Sequence, residues 1–347
     1  MGSIKLLDCT LRDGGYVNNW EFGFNEISSM LDKMFNTEVD IVEAGFIRDV
    51  TYDKNRAVFP VMKDLDDILK LKAINKKNHM LAVMTEISNP IPLNSLVCSD
   101  KTEVDVVRVI IWKNKCNKDG KTVDALQESF EYCKGIAEKG YRLCIQPNRT
   151  DQYSSEEFEK MLRLFAQLKP YAIYVVDSWG TMYSSQVIHY MEIANRILDK
   201  DIAIGFHGHN NMNQAFATAE RIIEKKYERD IIIDASVDGI GRGAGNLNLE
   251  CIARYLNYEM GNKYNLEFMH EVYDEYIKAL GKKYNWGASY EYFLSAINNT
   301  NPNYAAYFAD KITLKQMQYL YDYMDTKDAV IFTESLAKKY RDMILGG

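Results

Sequence analysis

The sequence predicts an α/β protein, a (β/α)8 (TIM) barrel followed by a C-terminal helical domain. Three features carry this expectation. Short runs rich in β-branched residues recur eight times, amphipathic stretches of helical period lie between most of them, and the alternation ends after Asn248, where helical patterns follow one another. Parallel strands need crossover connections, and eight strand–helix units occupy about 250 residues. The expected division is therefore residues 1–250 for the barrel and 251–347 for the helical domain. A doubly wound open sheet is the competing architecture; it requires a reversal of strand order that sequence does not display.

The runs are, in order, IKLLDCTL, VDIVEAGF, HMLAVMTEI, VDVVRVIIW, YRLCIQPNR, AIYVVDSWG, DIAIGFHGHN and DIIIDASVDGI. Helices are predicted over FNEISSMLDKMFN, SEEFEKMLRLFAQL and NQAFATAERIIEKKY, whose apolar residues repeat at three- and four-residue spacing. Past Asn248, CIARYLNYEM, LEFMHEVYDEYIKAL, ITLKQMQYLYDYM and VIFTESLAKKYRDMIL carry the same period.

Composition narrows the function. The chain has 347 residues, 47% hydrophobic and 26% charged, with a net charge of −7. That describes a globular chain able to bury a large core. An acidic chain without a Lys/Arg block lacks the concentrated basic surface that phosphate backbones require, so no nucleic-acid partner is expected. No apolar stretch approaches the ~20 residues that span a bilayer, and no signal-like segment precedes the first run. The expectation is a cytoplasmic protein acting on a small molecule, with no membrane partner. Six dispersed cysteines without a CxxC pair read as reduced thiols.

Unusual residues gather where the runs end: Asp8 to Asp13, Glu43, Glu86, Asn148 and Arg149, Asp177 and Ser178, His207 and His209, and Asp238. In a barrel these ends share one face, the face that carries active sites. Charged groups there line a pocket instead of sitting unpaired in a core. FHGHNN is the sharpest local signal. Residues two apart on a strand face the same way, so His207 and His209 project together over Ala203 and Gly205, while Ile202, Ile204 and Phe206 face the helices. Two imidazoles at a strand end suit a divalent metal, Asp13 adds a carboxylate at the same face, and Asn246 in GAGNLNLE can add an amide oxygen. Two nitrogens with one or two oxygens favour octahedral Mn²⁺, with Mg²⁺ or Co²⁺ as alternatives, over tetrahedral zinc.

Taken together and in order, DCTLRDGG, VEAGF, VVDSWG, HGHNN and DGIGRGAGNLNLE resemble the metal-dependent superfamily of aldolases and Claisen-type enzymes that includes 4-hydroxy-2-oxovalerate aldolase, hydroxymethylglutaryl-CoA lyase and isopropylmalate synthase; WGASYEYFLSAINNTNPNYA resembles the aldolase branch. The resemblance implies that Asp13, His207 and His209 hold the metal with Asn246 nearby. It further implies that Arg12 stabilises enolate charge, Glu43 orients Arg12, and Ser178 contacts the substrate carboxylate. A 2-oxo acid substrate follows, cleaved between C3 and C4 to pyruvate and an aldehyde. The aldolase branch carries a histidine shortly after the RDG motif, where this chain has Gly14, Gly15 and Tyr16. Tyr16 is the positional substitute, as a proton donor or hydrogen bonder, with Glu86 and Tyr290 as weaker alternatives. His79, His189 and His270 lie in the wrong places to replace it. Two other readings remain: condensation of an acyl-CoA with a 2-oxo acid, and a metal-binding barrel that has lost catalysis. The anionic tail of a substrate is one possible partner of Arg242, and Arg48 in the loop after the second strand is placed to reach over the pocket. A homodimer is expected from the aromatic-rich helical tail.

Overall fold

The computed structural model describes residues 2–116, 122–261 and 263–345. Each of the eight runs forms a strand: β1 (Ile4–Asp8), β2 (Ile41–Ile47), β3 (Met80–Glu86), β4 (Val106–Ile111), β5 (Arg142–Pro147), β6 (Ala172–Asp177), β7 (Ala203–Gly208) and β8 (Ile231–Ala235). Neighbours in sequence pair in parallel. β1 pairs with both β8 and β2, so the sheet closes on itself as a (β/α)8 barrel. A two-residue strand, Val58–Phe59, extends the sheet beside β2 after a register shift between Glu43 and Phe46, and Asn114–Cys116 pairs antiparallel with Thr122–Asp124. Neither was foreseen, because both are too short for a period-two pattern.

Alternation along each strand builds two cores. Leu7, Ile41, Ala82, Val106, Cys144, Ala172, Ala203 and Ile232 fill the barrel interior. Their neighbours Leu6, Val42, Val83, Val107, Leu143, Ile173, Ile204 and Ile233 face outward and pack under the helices. The helix Phe24–Asn36 buries Ile27, Met30, Leu31, Met34 and Phe35 on that outer layer, and Ser155–Ala166 is opened by a capping box between Ser154 and Glu157. Inside the barrel Gly205 makes space for an aromatic ring: a Cβ there would lie 2.4 Å from the ring of Tyr174.

The main core continues past the barrel strands through Leu249–Met260 and Leu266–Val272 to Ile277. A separate apolar cluster then forms around Leu294, Tyr304, Phe308, Met317, Leu320 and Tyr340. Three helices here, Tyr290–Ile297, Pro302–Phe308 and Thr326–Val330, go beyond the four stretches read from helical period. Each spans at most about two turns, so its start is marked by local chemistry more than by periodicity: Ser289 and Asn301 cap the first two, and Pro302 fills a position that needs no amide proton. Among the described residues no helix is long and apolar enough to cross a membrane. Cys9, Cys98, Cys133, Cys144 and Cys251 are free thiols; the side chain of Cys116 lies outside the described part.

Candidate active site

The segment after β1 turns sharply over the barrel mouth. Thr10 donates to Asp8 and accepts from the Val237 amide at 2.9 Å, tying this turn to β8; the Asp13 amide donates to the Cys9 carbonyl at 2.8 Å, and the Trp20 indole donates to the Arg12 carbonyl at 2.7 Å. These bonds explain why an apolar strand ends in acids and an arginine. Asp8, Arg12 and Asp13 are buried at the mouth and held by named partners, with Arg12 bonded to Glu43 (Nε to Oε2, 2.7 Å) and to Asp13. Burial disfavours its charge, but Glu43 and Asp13 outweigh that and raise the Arg12 pKa.

Asp13, His207 and His209 meet here, with ligand atoms within 4.8 Å of one another. His207 Nε2 is 3.7 Å and His209 Nε2 3.9 Å from the Asp13 carboxylate. The far nitrogen of each ring is engaged: His207 Nδ1 bonds Asp234 at 3.0 Å, and His209 Nδ1 bonds the Arg242 carbonyl at 3.1 Å. A hydrogen bond at Nδ1 fixes the ring and leaves Nε2 for a cation. Burial lowers His209 to about 4 despite Asp13, so its imidazole is neutral at pH 7. Asp13, although buried, is held well below the usual carboxylate range by Arg12, His209, His207 and Asn246. Asn246 donates to Asp13 at 3.2 Å and to the Ile240 carbonyl at 3.0 Å, while its own Oδ1 is buried without a partner. Two imidazole nitrogens, an ionised carboxylate and an orphaned amide oxygen make a donor set suited to a divalent cation. Gly241 shapes this cradle, since a Cβ there would lie 2.3 Å from the Asn246 amide nitrogen and 2.8 Å from Asp13 Oδ1.

Two residues that the sequence reading passed over complete the site. Arg108, on β4, is fully buried inside the barrel, where it donates to Glu43 Oε2 at 2.7 Å and to Asp234, and lies 4.9 Å from the centre of the Tyr174 ring. Asp234, on β8, is itself held below the usual carboxylate range, against its burial, by Arg108, His207 and Arg12. A continuous ionic chain therefore runs from Arg12 through Glu43, Arg108 and Asp234 to His207. An available signal was strand alternation: Arg108 and Asp234 each fall on the inward phase of an apolar run, where an isolated charge would be untenable.

The pocket above this chain is lined by Arg12, Asp13, Tyr16, Ser178, both histidines and Arg242. Tyr16 packs edge-on against Trp20 and Phe46; partial desolvation, Glu86 and Asp13 raise its phenol above the ordinary value. Ser178 donates to Asn148 at 2.8 Å and accepts from the Arg149 amide at 2.9 Å. Glu86 and Arg48 bond each other at 2.6 Å, and Arg48 stacks on Phe46, so both are already engaged. Tyr290 is exposed outside the pocket. His79 lies 3.4 Å from Glu38, His189 bonds Ser155, and His270 lies in Leu266–Val272, as their sequence positions suggested.

The HMGL-like family model matches residues 3–279. A 4-hydroxy-2-oxovalerate aldolase of Shewanella halifaxensis is 38% identical over 268 residues, covering 73% of this chain and 70% of its own. A 4-hydroxy-2-oxovalerate aldolase of Desulfitobacterium hafniense is 25% identical over 295 residues, covering 81% and 79%. In fold, the chain is similar to the N-terminal domain of a Bacteroides vulgatus protein assigned as an aldolase, with a TM-score of 0.70 and 22% identity over 89% of this chain and 97% of that one. The chain belongs to the HMGL-like family, a family of lyase and aldolase enzymes.

Proposed function

We propose that the protein is a divalent-metal-dependent aldolase that cleaves a 4-hydroxy-2-oxo acid to pyruvate and an aldehyde. The observation that carries this reading is the convergence of Asp13, His207 and His209 beside an arginine held by two carboxylates. Asp13, His207 and His209, with Asn246 beside them, would hold the cation, Mn²⁺ in this reading with Mg²⁺ or Co²⁺ as substitutes. When bound, the ion acts as a Lewis acid toward the 2-oxo group.

Arg12 is fixed by Glu43 and Asp13 and donates toward the C2 oxygen, where negative charge collects as the C3–C4 bond breaks. Glu43 holds the Arg12 plane, and Ser178, its hydroxyl proton turned from Asn148 to the substrate, donates to the C1 carboxylate. Tyr16 is protonated at neutral pH as any ordinary phenol is, and desolvation, Glu86 and Asp13 move it further in that direction. It therefore hydrogen-bonds the C4 oxygen and orients the hydroxyl, whose proton leaves through solvent as the C3–C4 bond breaks; in the condensation direction it donates toward the developing C4 alkoxide. Coupling pyruvate release to lactate dehydrogenase, with Mn²⁺, Mg²⁺ or Co²⁺ added to metal-stripped protein, tests the proposal. Metal-dependent pyruvate formation is expected, and no release from any member of a panel of 4-hydroxy-2-oxo acids rejects it.

A further inference from the structure

Arg242 lines the pocket in a way the cleavage chemistry above does not use. Its backbone is anchored to the candidate metal ligands on both sides: the amide donates to Asp13 at 3.3 Å and the carbonyl accepts from His209 at 3.1 Å. The side chain therefore starts beside the reaction centre. Its guanidinium donates to Asn301 Oδ1 at 2.9 Å, a neutral acceptor, and among the described residues it pairs with no carboxylate. Asn301 is itself held, accepting from the Asn303 amide at 3.1 Å and donating from its own amide to the Ala329 carbonyl at 2.8 Å. The neighbouring cation differs. Arg149 is neutralised by Asp151, bonded at 2.8 and 2.5 Å, and packs on Trp179.

Charge reckoning sharpens the contrast. Asp13, Glu43 and Asp234 face Arg12 and Arg108; a divalent ion and the single carboxylate of a simple 2-oxo acid bring that group to neutrality. Arg242 is left over. A guanidinium without a counter-charge in a partly desolvated pocket favours an anion, and its planar fork matches a carboxylate.

We propose that Arg242 binds a second carboxylate, at the far end of the substrate, so that the molecule cleaved is a 4-hydroxy-2-oxo diacid and the aldehyde released is itself an oxo acid. This rests on the aldolase reading for the cleavage step, in which the C3–C4 bond breaks, its electron pair forms the pyruvate enolate, the C4 hydroxyl becomes the carbonyl of the released oxo acid, and the hydroxyl proton returns to C3 through solvent. No other reactant is consumed.

The test separates the two ideas. Mn²⁺-loaded protein is titrated calorimetrically with 2-oxoglutarate and 2-oxopentanoate, which have equal chain length and differ only in a terminal carboxylate or methyl. About tenfold or greater preference for 2-oxoglutarate is expected. In Arg242→Gln that preference collapses to within about twofold, and in Asn301→Ala, which removes the acceptor but keeps the arginine, it falls part of the way. Equal affinity of the wild type for both acids, or binding of neither, overturns the subsite, as does a preference that survives Arg242→Gln. In parallel, 4-hydroxy-2-oxoglutarate is compared with 4-hydroxy-2-oxopentanoate for pyruvate release. A binding preference without release from either compound sinks the aldolase reading and leaves the anion subsite standing; release with equal affinities does the reverse.

Discussion

The two halves of the barrel interior are made by the same strands and obey the same alternation, yet they are chemically opposite. Toward the N-terminal ends of the strands the space is filled by Ile41, Val106, Ala172 and Ile232. One inward step further along, Glu43 follows Ile41, Arg108 follows Val106 and Asp234 follows Ile232, and Arg12 and His207 join them from above. The lower half can exchange apolar residues of similar volume, because dispersion and burial have no direction. The upper half does not, because each buried charge is stabilised by one particular neighbour. The barrel thus keeps its bulk stability and its directional chemistry in separate layers.

Substitutions in the two layers should therefore differ in kind. The largest effect is expected at the top: Asp13→Asn removes the anionic ligand, and metal-dependent turnover should fall by at least about a thousandfold, with Mn²⁺ affinity by calorimetry falling in parallel. Retained Mn²⁺ affinity would remove Asp13 from the ligand set. Next, Arg108→Met leaves Glu43 and Asp234 without their shared partner and should cost about 3–5 kcal/mol in urea unfolding, whereas Ile232→Val one layer below should cost about 0.5–1.5 kcal/mol. Equal losses would erase the distinction between the layers. Asp234→Asn should weaken Mn²⁺ binding by about 10–100-fold, since His207 loses the carboxylate that orients it. The smallest effect concerns Asp8, which burial pushes up to about 7. With an unfolded pKa of about 3.9, the folded state binds more protons between those values, so wild-type stability falls as pH rises through that window. Asp8→Asn should lie below the wild type in melting temperature under about pH 4, because its amide finds no partner at the Oδ2 position, and should overtake it toward about pH 7. The gain should reach only about 1 kcal/mol, because Asp8 Oδ2 has no hydrogen-bond partner to receive a new amide. A melting difference independent of pH would contradict this assignment.

Strand order and the metal-competent cluster were legible because each rests on short-range pattern. Period-two runs gave all eight strands, and the spacing of His207 and His209 gave a shared face. Asp13 could be joined to them only once the runs were read as a closed barrel, since 194 positions separate it from His207. What escaped was long-range and specific. Arg108 stood in plain view inside VVRVII, but nothing local says that its partners are Glu43 and Asp234, which reach it across the barrel from β2 and β8. The pairing of Arg48 with Glu86 was missed for the same reason: it is made between two loop-proximal ends that only the closed sheet brings together. The compact helices around Asn298 to Asn301 were hidden because they are defined by caps more than by an apolar stripe.

The glycine loop before Asn246 has a consequence for how such a protein can diversify. Position 241 admits no side chain without colliding with Asp13 and Asn246, and position 245 has φ +79° with a Cβ that would lie 2.0 Å from the Gly239 carbonyl oxygen. Between them, position 242 contributes only its backbone to the histidine and aspartate, leaving its side chain free to vary. A lineage can exchange that one residue, and so remodel the wall of the pocket, while the cradle of Asp13, His209 and Asn246 is inherited intact.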